Sequence, residues 1–84
     1  MPLDDVTLYS RPGCHLCDEM LRDVHRALGS RKVTVDVVDI DRDAELLARY
    51  MLRIPVLAVN GEEVCEGRFD AEAFHVALGT RTPR

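Results

Sequence analysis

The sequence lacks any apolar run that approaches the roughly 20 residues of a membrane span. No secretory leader is expected either: Met1-Pro2-Leu3-Asp4-Asp5 is short and acidic, where such a leader is basic and then apolar. There is no internal repeat, no low-complexity stretch and no linker, and only residues 1–4 and 80–84 read as loose ends. Positive charge is not in excess. Lys and Arg number 11 against 15 Asp and Glu, a formal net charge of −4. That balance argues against binding to nucleic acid or to an anionic membrane surface, both of which need a basic face. Cysteine is scarce and odd in number, at three residues, whereas a disulfide-stapled secreted domain carries an even and denser set. A cytoplasmic location is therefore expected. Stable structural disulfides are rare there, so paired cysteines read as redox-active or metal-binding.

What is present has the composition of one small soluble domain, with 84 residues, 46% apolar and 31% charged. The whole chain, residues 1–84, reads as a single unit with its ordered part at about 6–79, and a monomer is expected because nothing demands a partner copy. Val6-Thr7-Leu8-Tyr9 has the β-branched and aromatic content of a first strand, which Arg11-Pro12-Gly13 breaks. A helical period then starts at Cys14. Cys17, Leu21, Val24 and Leu28 share one face, Leu16 and Met20 widen it, and Gly29 stands where a helix C-terminal glycine belongs. Val33 to Ile40 reads as a second strand, apolar on both faces and so expected to be covered on both. Asp41 or Asp43 can cap a second helix with Ala44, Leu47, Ala48 and Met51 inward. Pro55 to Val59 reads as a third strand, Asn60-Gly61 as a tight hairpin turn, and Glu63-Val64-Cys65 as the returning strand, ended by Gly67. Asp70 can cap a last helix with Ala73, Phe74, Ala77 and Leu78 inward, closed by Gly79. The order β-α-β-α-β-β-α predicts an α/β domain whose mixed sheet of four strands has three helices against it.

The chemistry concentrates in Ser10-Arg11-Pro12-Gly13-Cys14-His15-Leu16-Cys17. Backbone N–H groups in a first helical turn have no partner within the helix, and with the macrodipole they favour an anion. A thiolate at Cys14 is such an anion, so its pKa is expected below that of an ordinary thiol, further lowered by Arg11 and a protonated His15. Cys17, one turn in and on the apolar face, is expected to be sheltered. An exposed attacking thiol beside a sheltered resolving thiol suits disulfide exchange. A zinc site or an iron–sulfur site, and a purely structural bridge, stand as alternatives; zinc would need two further ligands at sensible spacing. Cys65 reads as a buried small hydrophobe, His25 and His75 as surface residues, and Asp36, Asp39, Asp41 and Asp43 as a solvated strand end with a helix cap.

The run Leu8 to Cys17, together with Arg53-Ile54-Pro55-Val56-Leu57, resembles the glutaredoxins of the thioredoxin superfamily, and more narrowly the short bacterial glutaredoxin-like proteins. The likeness extends from Val6 to Leu78 and implies the thioredoxin fold. It implies a thiol–disulfide oxidoreductase in which Cys14 is the nucleophile and Cys17 the resolving thiol, with no bound cofactor. Pro55 matches the family's cis-proline, the backbone of Ile54 is implied to pair with the cysteine part of a thiol substrate, and Arg11 and His15 are implied to lie at the substrate. Glutathione is implied as electron donor, and a disulfide-containing protein or glutathione as partner. The pattern departs from the family in three places. His15-Leu16 replaces Pro-Tyr between the cysteines, Arg53 replaces Thr, and Cys65-Glu66 stand near where a Gly-Gly pair shapes the glutathione site. Arg11, Arg53 and Arg68 can supply cations to glutathione, whereas Glu66 and Asp70 oppose it, so weak glutathione-linked activity is expected. Gly67-Arg68-Phe69-Asp70 faintly echoes redoxins served by thioredoxin reductase, an alternative donor.

Overall fold

The computed structural model describes residues 4–79. Its elements are β1 (Val6–Ser10), α1 (His15–Leu28), β2 (Val35–Asp39), a single 3-10 turn (Ile40–Arg42), α2 (Ala44–Tyr50), β3 (Val56–Val59), β4 (Glu62–Glu66) and α3 (Ala71–Ala77). The strands form one sheet in the order β2-β1-β3-β4. β1 runs parallel to β2 and antiparallel to β3, and β4 returns antiparallel to β3. The element order and the mixed sheet agree with the sequence reading.

Period-2 alternation along the inner strands sends side chains to two separate cores. On one face Val6, Leu8, Leu57 and Val59 pack with Met20, Val24 and Leu28 of α1 and with Phe74 and Leu78 of the α3 segment. On the other, Val56 packs with Ile40 and Tyr50, and with the partly buried Tyr9, Leu46, Leu47 and Ile54. Tyr9 and Tyr50 stack there with ring centroids 4.4 Å apart. The sheet is thus a filling between α1 with α3 and α2.

Polar side chains set the helix starts. Asp43 Oδ1 accepts from the N–H groups of Glu45 and Leu46, and Asp70 Oδ1 from that of Ala73. Each satisfies first-turn donors that would otherwise depend on water. Asp39 does the same for the 3-10 turn through the N–H of Asp41. The turn between β3 and β4 has Asn60 at φ 53° and Gly61 at φ 87°, the two left-handed positions of a type I′ hairpin. Asn60 also ties this turn to the start of β1. Its Oδ1 accepts from the N–H of Asp5 at 2.8 Å, and its own N–H donates to the carbonyl of Asp5 at 2.7 Å.

Three expectations need correction. The sequence predicts the second strand over Val33–Ile40 with cover on both sides. It spans only Val35–Asp39 and lies at the sheet edge, with Val37 51% exposed. An edge strand has one neighbour, so its apolar residues report sheet propensity more than burial. The inward face of α2 is Leu46, Leu47 and Tyr50, whereas Ala44, Ala48 and Met51 are exposed. Burial of Tyr50 against Tyr9 sets the rotation of this short helix, which the aliphatic period alone does not report. Leu16 is 53% exposed and does not widen the buried face of α1, which is Cys17, Met20, Val24 and Leu28.

Candidate active site

β1 ends at Ser10, and Arg11-Pro12-Gly13-Cys14 then forms a turn in which the N–H of Cys14 donates to the Arg11 carbonyl at 3.3 Å. Pro12 presets the second position of that turn, and Gly13 adopts φ 79° at the third, as a type II turn demands. The turn delivers Cys14 to the N-cap of α1, where its Sγ accepts from the N–H of Cys17 at 3.1 Å. Sulfur here occupies the position that an aspartate or serine oxygen takes at other helix starts.

Cys14 and Cys17 are joined by a disulfide with their Cα atoms 5.2 Å apart. The two sulfurs differ in surroundings as the sequence suggests. Cys14 is half-buried, whereas Cys17 is 3% exposed and turned into α1's apolar face. A reagent in solvent therefore reaches Cys14.

Strand register brings the second half of the site to the same place. Tyr9 pairs with Val56, so the next step outward sets Pro55 opposite Ser10, at the end of the sheet from which Cys14 follows. The Ile54–Pro55 bond is cis, as the family resemblance implied, and Pro55 is buried. The carbonyl of Pro55 accepts from the N–H of Gly67 at 2.8 Å, and the N–H of Ile54 donates to the Tyr50 carbonyl at 3.1 Å. The Ile54 amide is thus committed inside the α2–β3 loop in this state.

Arg11, His15 and Arg53 are each held by carboxylates. Arg11 reaches Asp41 with Nη2 at 2.8 Å and Nε at 3.4 Å. His15 is exposed, and its Nε2 lies 2.9 Å from Glu19 Oε2. Arg53 is engaged twice: Nη2 and Nε meet Glu66 Oε1 at 2.7 and 3.0 Å, and Nη2 also pairs with Glu63. The Tyr50 hydroxyl donates to the other oxygen of Glu63 at 3.2 Å, and the Arg53 guanidinium lies 5.3 Å from the Tyr50 ring centre. Its hydrogen bonds to Glu66 and Glu63 hold Arg53 above its ordinary pKa, and the hydrogen bond from Arg53 holds Glu63 below the usual carboxylate range. Support for a Cys14 anion therefore rests chiefly on the start of α1, with Arg11 shared with Asp41.

Glu63 and Tyr50 carry no site role in the sequence reading. The signal that finds them is a β-bulge. Glu63 pairs with Ala58 and Glu66 with Val56, while the register shifts between Leu57 and Ala58. Residues three apart in a regular strand face opposite ways; the extra residue puts both glutamates on the α2 face, where Arg53 lies.

Cys65 is a half-buried free thiol packed against the α1–α3 core, with burial pushing its pKa up. Among the described residues no three His, Cys, Asp or Glu side chains converge as a metal-holding group, so Cys65 is not brought together with the pair in that way. A groove of about 470 Å³ between β4 and α3 contains neither cysteine of the pair. No helix among the described residues is long and apolar enough to cross a membrane.

The sequence model of the glutaredoxin-like domain (DUF836) matches residues 5–78. Among solved structures, protein Ne2328 from Nitrosomonas europaea is 28% identical with a TM-score of 0.82, over 93% of this chain and 94% of that one. A protein from X. campestris, XcR50, is 37% identical with a TM-score of 0.72, over 92% of this chain and 99% of its own. A mutant thioredoxin from Halobacterium salinarum is 22% identical with a TM-score of 0.63, over 96% of this chain and 76% of its own, which shows the thioredoxin fold. No curated protein matches the chain.

Proposed function

The chain belongs to the glutaredoxin-like domain family, and from that premise we propose that it is a thiol–disulfide oxidoreductase. One observation carries the reading: an accessible cysteine caps a helix at the end of the sheet and is bonded to a buried cysteine one turn in. In the reduced protein the Cys14 thiolate attacks a sulfur of a substrate disulfide. A mixed disulfide forms, and one substrate sulfur leaves as a thiolate. Cys17 gives up its proton and attacks Cys14 Sγ, which releases the second substrate thiol and closes the Cys14–Cys17 disulfide. Two electrons pass from the protein dithiol to the substrate disulfide.

The helix start favours the reaction twice. Its N–H groups stabilise the attacking thiolate, and they stabilise the same sulfur when it becomes the leaving group for Cys17. Strand register sets Pro55 opposite Ser10, four residues before Cys14, and Arg11 and His15 lie within three residues of Cys14 in the chain, which supports a role for these residues and for the Ile54 backbone at the substrate. Glutathione or a thioredoxin reductase would return the protein to the dithiol form, and the substrate would be a protein or small disulfide, met in the cytoplasm by a monomer.

Trapping tests the roles. A Cys17→Ser protein cannot resolve, so incubation with a disulfide should leave one substrate half covalently on Cys14, visible by intact mass and removed by dithiothreitol. A Cys14→Ser protein should neither trap nor turn over. Turnover retained by Cys14→Ser would remove the proposal.

A further inference from the structure

The bulge in β4 builds a clamp of two carboxylates around one guanidinium. Val64 and Cys65 both turn to the α1–α3 core, and Glu63 and Glu66 both turn to the other face. There they hold Arg53, immediately before the Ile54–Pro55 step. Glu66, Val56 and Tyr9 are successive neighbours across the strands at the sheet end from which Cys14 follows. Adjacent strands lie about 4.8 Å apart, so the Glu66 backbone is about 10 Å from that of Tyr9, from which the chain runs on through Ser10 toward Cys14.

One guanidinium and two carboxylates leave the clamp with a net charge of −1, and Arg49, which also faces Glu63 from over the Tyr50 ring, is offset by Glu45 one turn earlier on α2. Arg11 with Asp41 sums to zero, and Glu19 offsets a protonated His15. Arg11, His15 and Arg53 therefore present no cation excess to a ligand. A carboxylate-bearing substrate would have to displace Glu63 and Glu66 from Arg53, and their pairing is intramolecular and already formed.

We propose that Glu63 and Glu66 are specificity-determining residues that withdraw Arg53 from anionic substrates, so that the dithiol prefers disulfides flanked by cationic groups. The preference rests on the thiol–disulfide reading and adds to it the class of substrate. Disulfides bordered by Lys or Arg meet a net negative rim; acidic thiols such as carboxylate-bearing peptides meet repulsion and an occupied arginine.

The test is single-turnover oxidation of the reduced protein by three disulfide-bridged synthetic peptides of equal length, flanked by Lys, Gln or Glu. The unmodified protein should react with the Lys peptide about three- to tenfold faster than with the Glu peptide, the scale of exposed charges screened by salt, and the ratio should shrink toward one at about 1 M salt. Glu66→Gln takes the clamp to zero charge and should bring the ratio close to one. Glu63→Gln/Glu66→Gln takes it to +1 and should make the Glu peptide the faster. The Gln peptide is the reference for folding and reactivity in every variant. A ratio unchanged by both variants, or a Glu peptide preferred by the unmodified protein, would overturn the proposal. Failure of the unmodified protein to oxidise with any of the peptides would instead overturn the dithiol reading, and the preference with it.

Discussion

At the residue scale two sulfurs share a helix turn and little else. Cys14 accepts a backbone N–H and faces solvent, while Cys17 is buried against α1's apolar neighbours. After reduction, iodoacetamide should therefore label Cys14 first, and at pH values where an ordinary thiol is still protonated and slow. Cys17 should lag at every pH. Peptide mapping of the labelled protein reads the order directly, and equal labelling of both would contradict the asymmetry. Cys65 should also lag, because burial holds its thiol protonated.

At the element scale, the strand–turn–helix unit that carries Cys14 and the β3–β4 hairpin were both legible in the sequence. Pro12-Gly13 and Asn60-Gly61 are backbone requirements written as residue types, and the structure meets each with the left-handed geometry the glycine or asparagine permits. Asn60 does more than turn the chain, since its side chain holds Asp5 at the start of β1. Asn60→Ala should cost about 1–2 kcal/mol in urea unfolding, from left-handed strain and the lost hydrogen bonds, and Asn60→Gly less because it removes the strain. Equal costs for the two variants would place the whole effect in the side chain.

What sequence reading missed has one physical origin: it assumes an undisturbed period. The bulge at Val64 breaks period 2, so Glu63 and Glu66 share a face that alternation denies them. The stacking of Tyr50 on Tyr9 rotates α2 away from its aliphatic stripe. Edge position decides the exposure of β2, and an edge is a property of strand order that no local pattern encodes. The cysteine pair, Pro55 and the aspartate caps Asp43 and Asp70 depend on local chemistry and stand where the sequence reading places them, whereas Asp39, no helix start in that reading, caps the 3-10 turn.

At the scale of the whole molecule, both cores depend on the inner strands β1 and β3, and Cys65 sits against one of them. Burial raises the folded-state pKa of its thiol, so the folded protein keeps this proton where the unfolded chain has released it. That contribution to stability is whole below the ordinary thiol range and is lost as pH rises through the folded value. Oxidised protein, in which Cys14 and Cys17 do not titrate, should therefore lose thermal stability between about pH 8 and pH 10. A Cys65→Ala variant should show a flatter decline over the same interval, even if its midpoint is lower throughout. A decline of the same slope in both proteins would exclude the Cys65 thiol as its source.

Delivery of two electrons from the Cys14–Cys17 pair to a disulfide is the step on which the proposed function stands. It is tested most directly by mixing fully reduced protein with one equivalent of a neutral disulfide, 2-hydroxyethyl disulfide, and counting products. The account predicts that both thiols of the reagent are released for each protein oxidised, that the Cys14–Cys17 bridge is the protein product found by peptide mapping, and that Cys65 stays a free thiol. Absence of released thiol, or oxidation that ends on Cys65 and leaves the pair reduced, would contradict it.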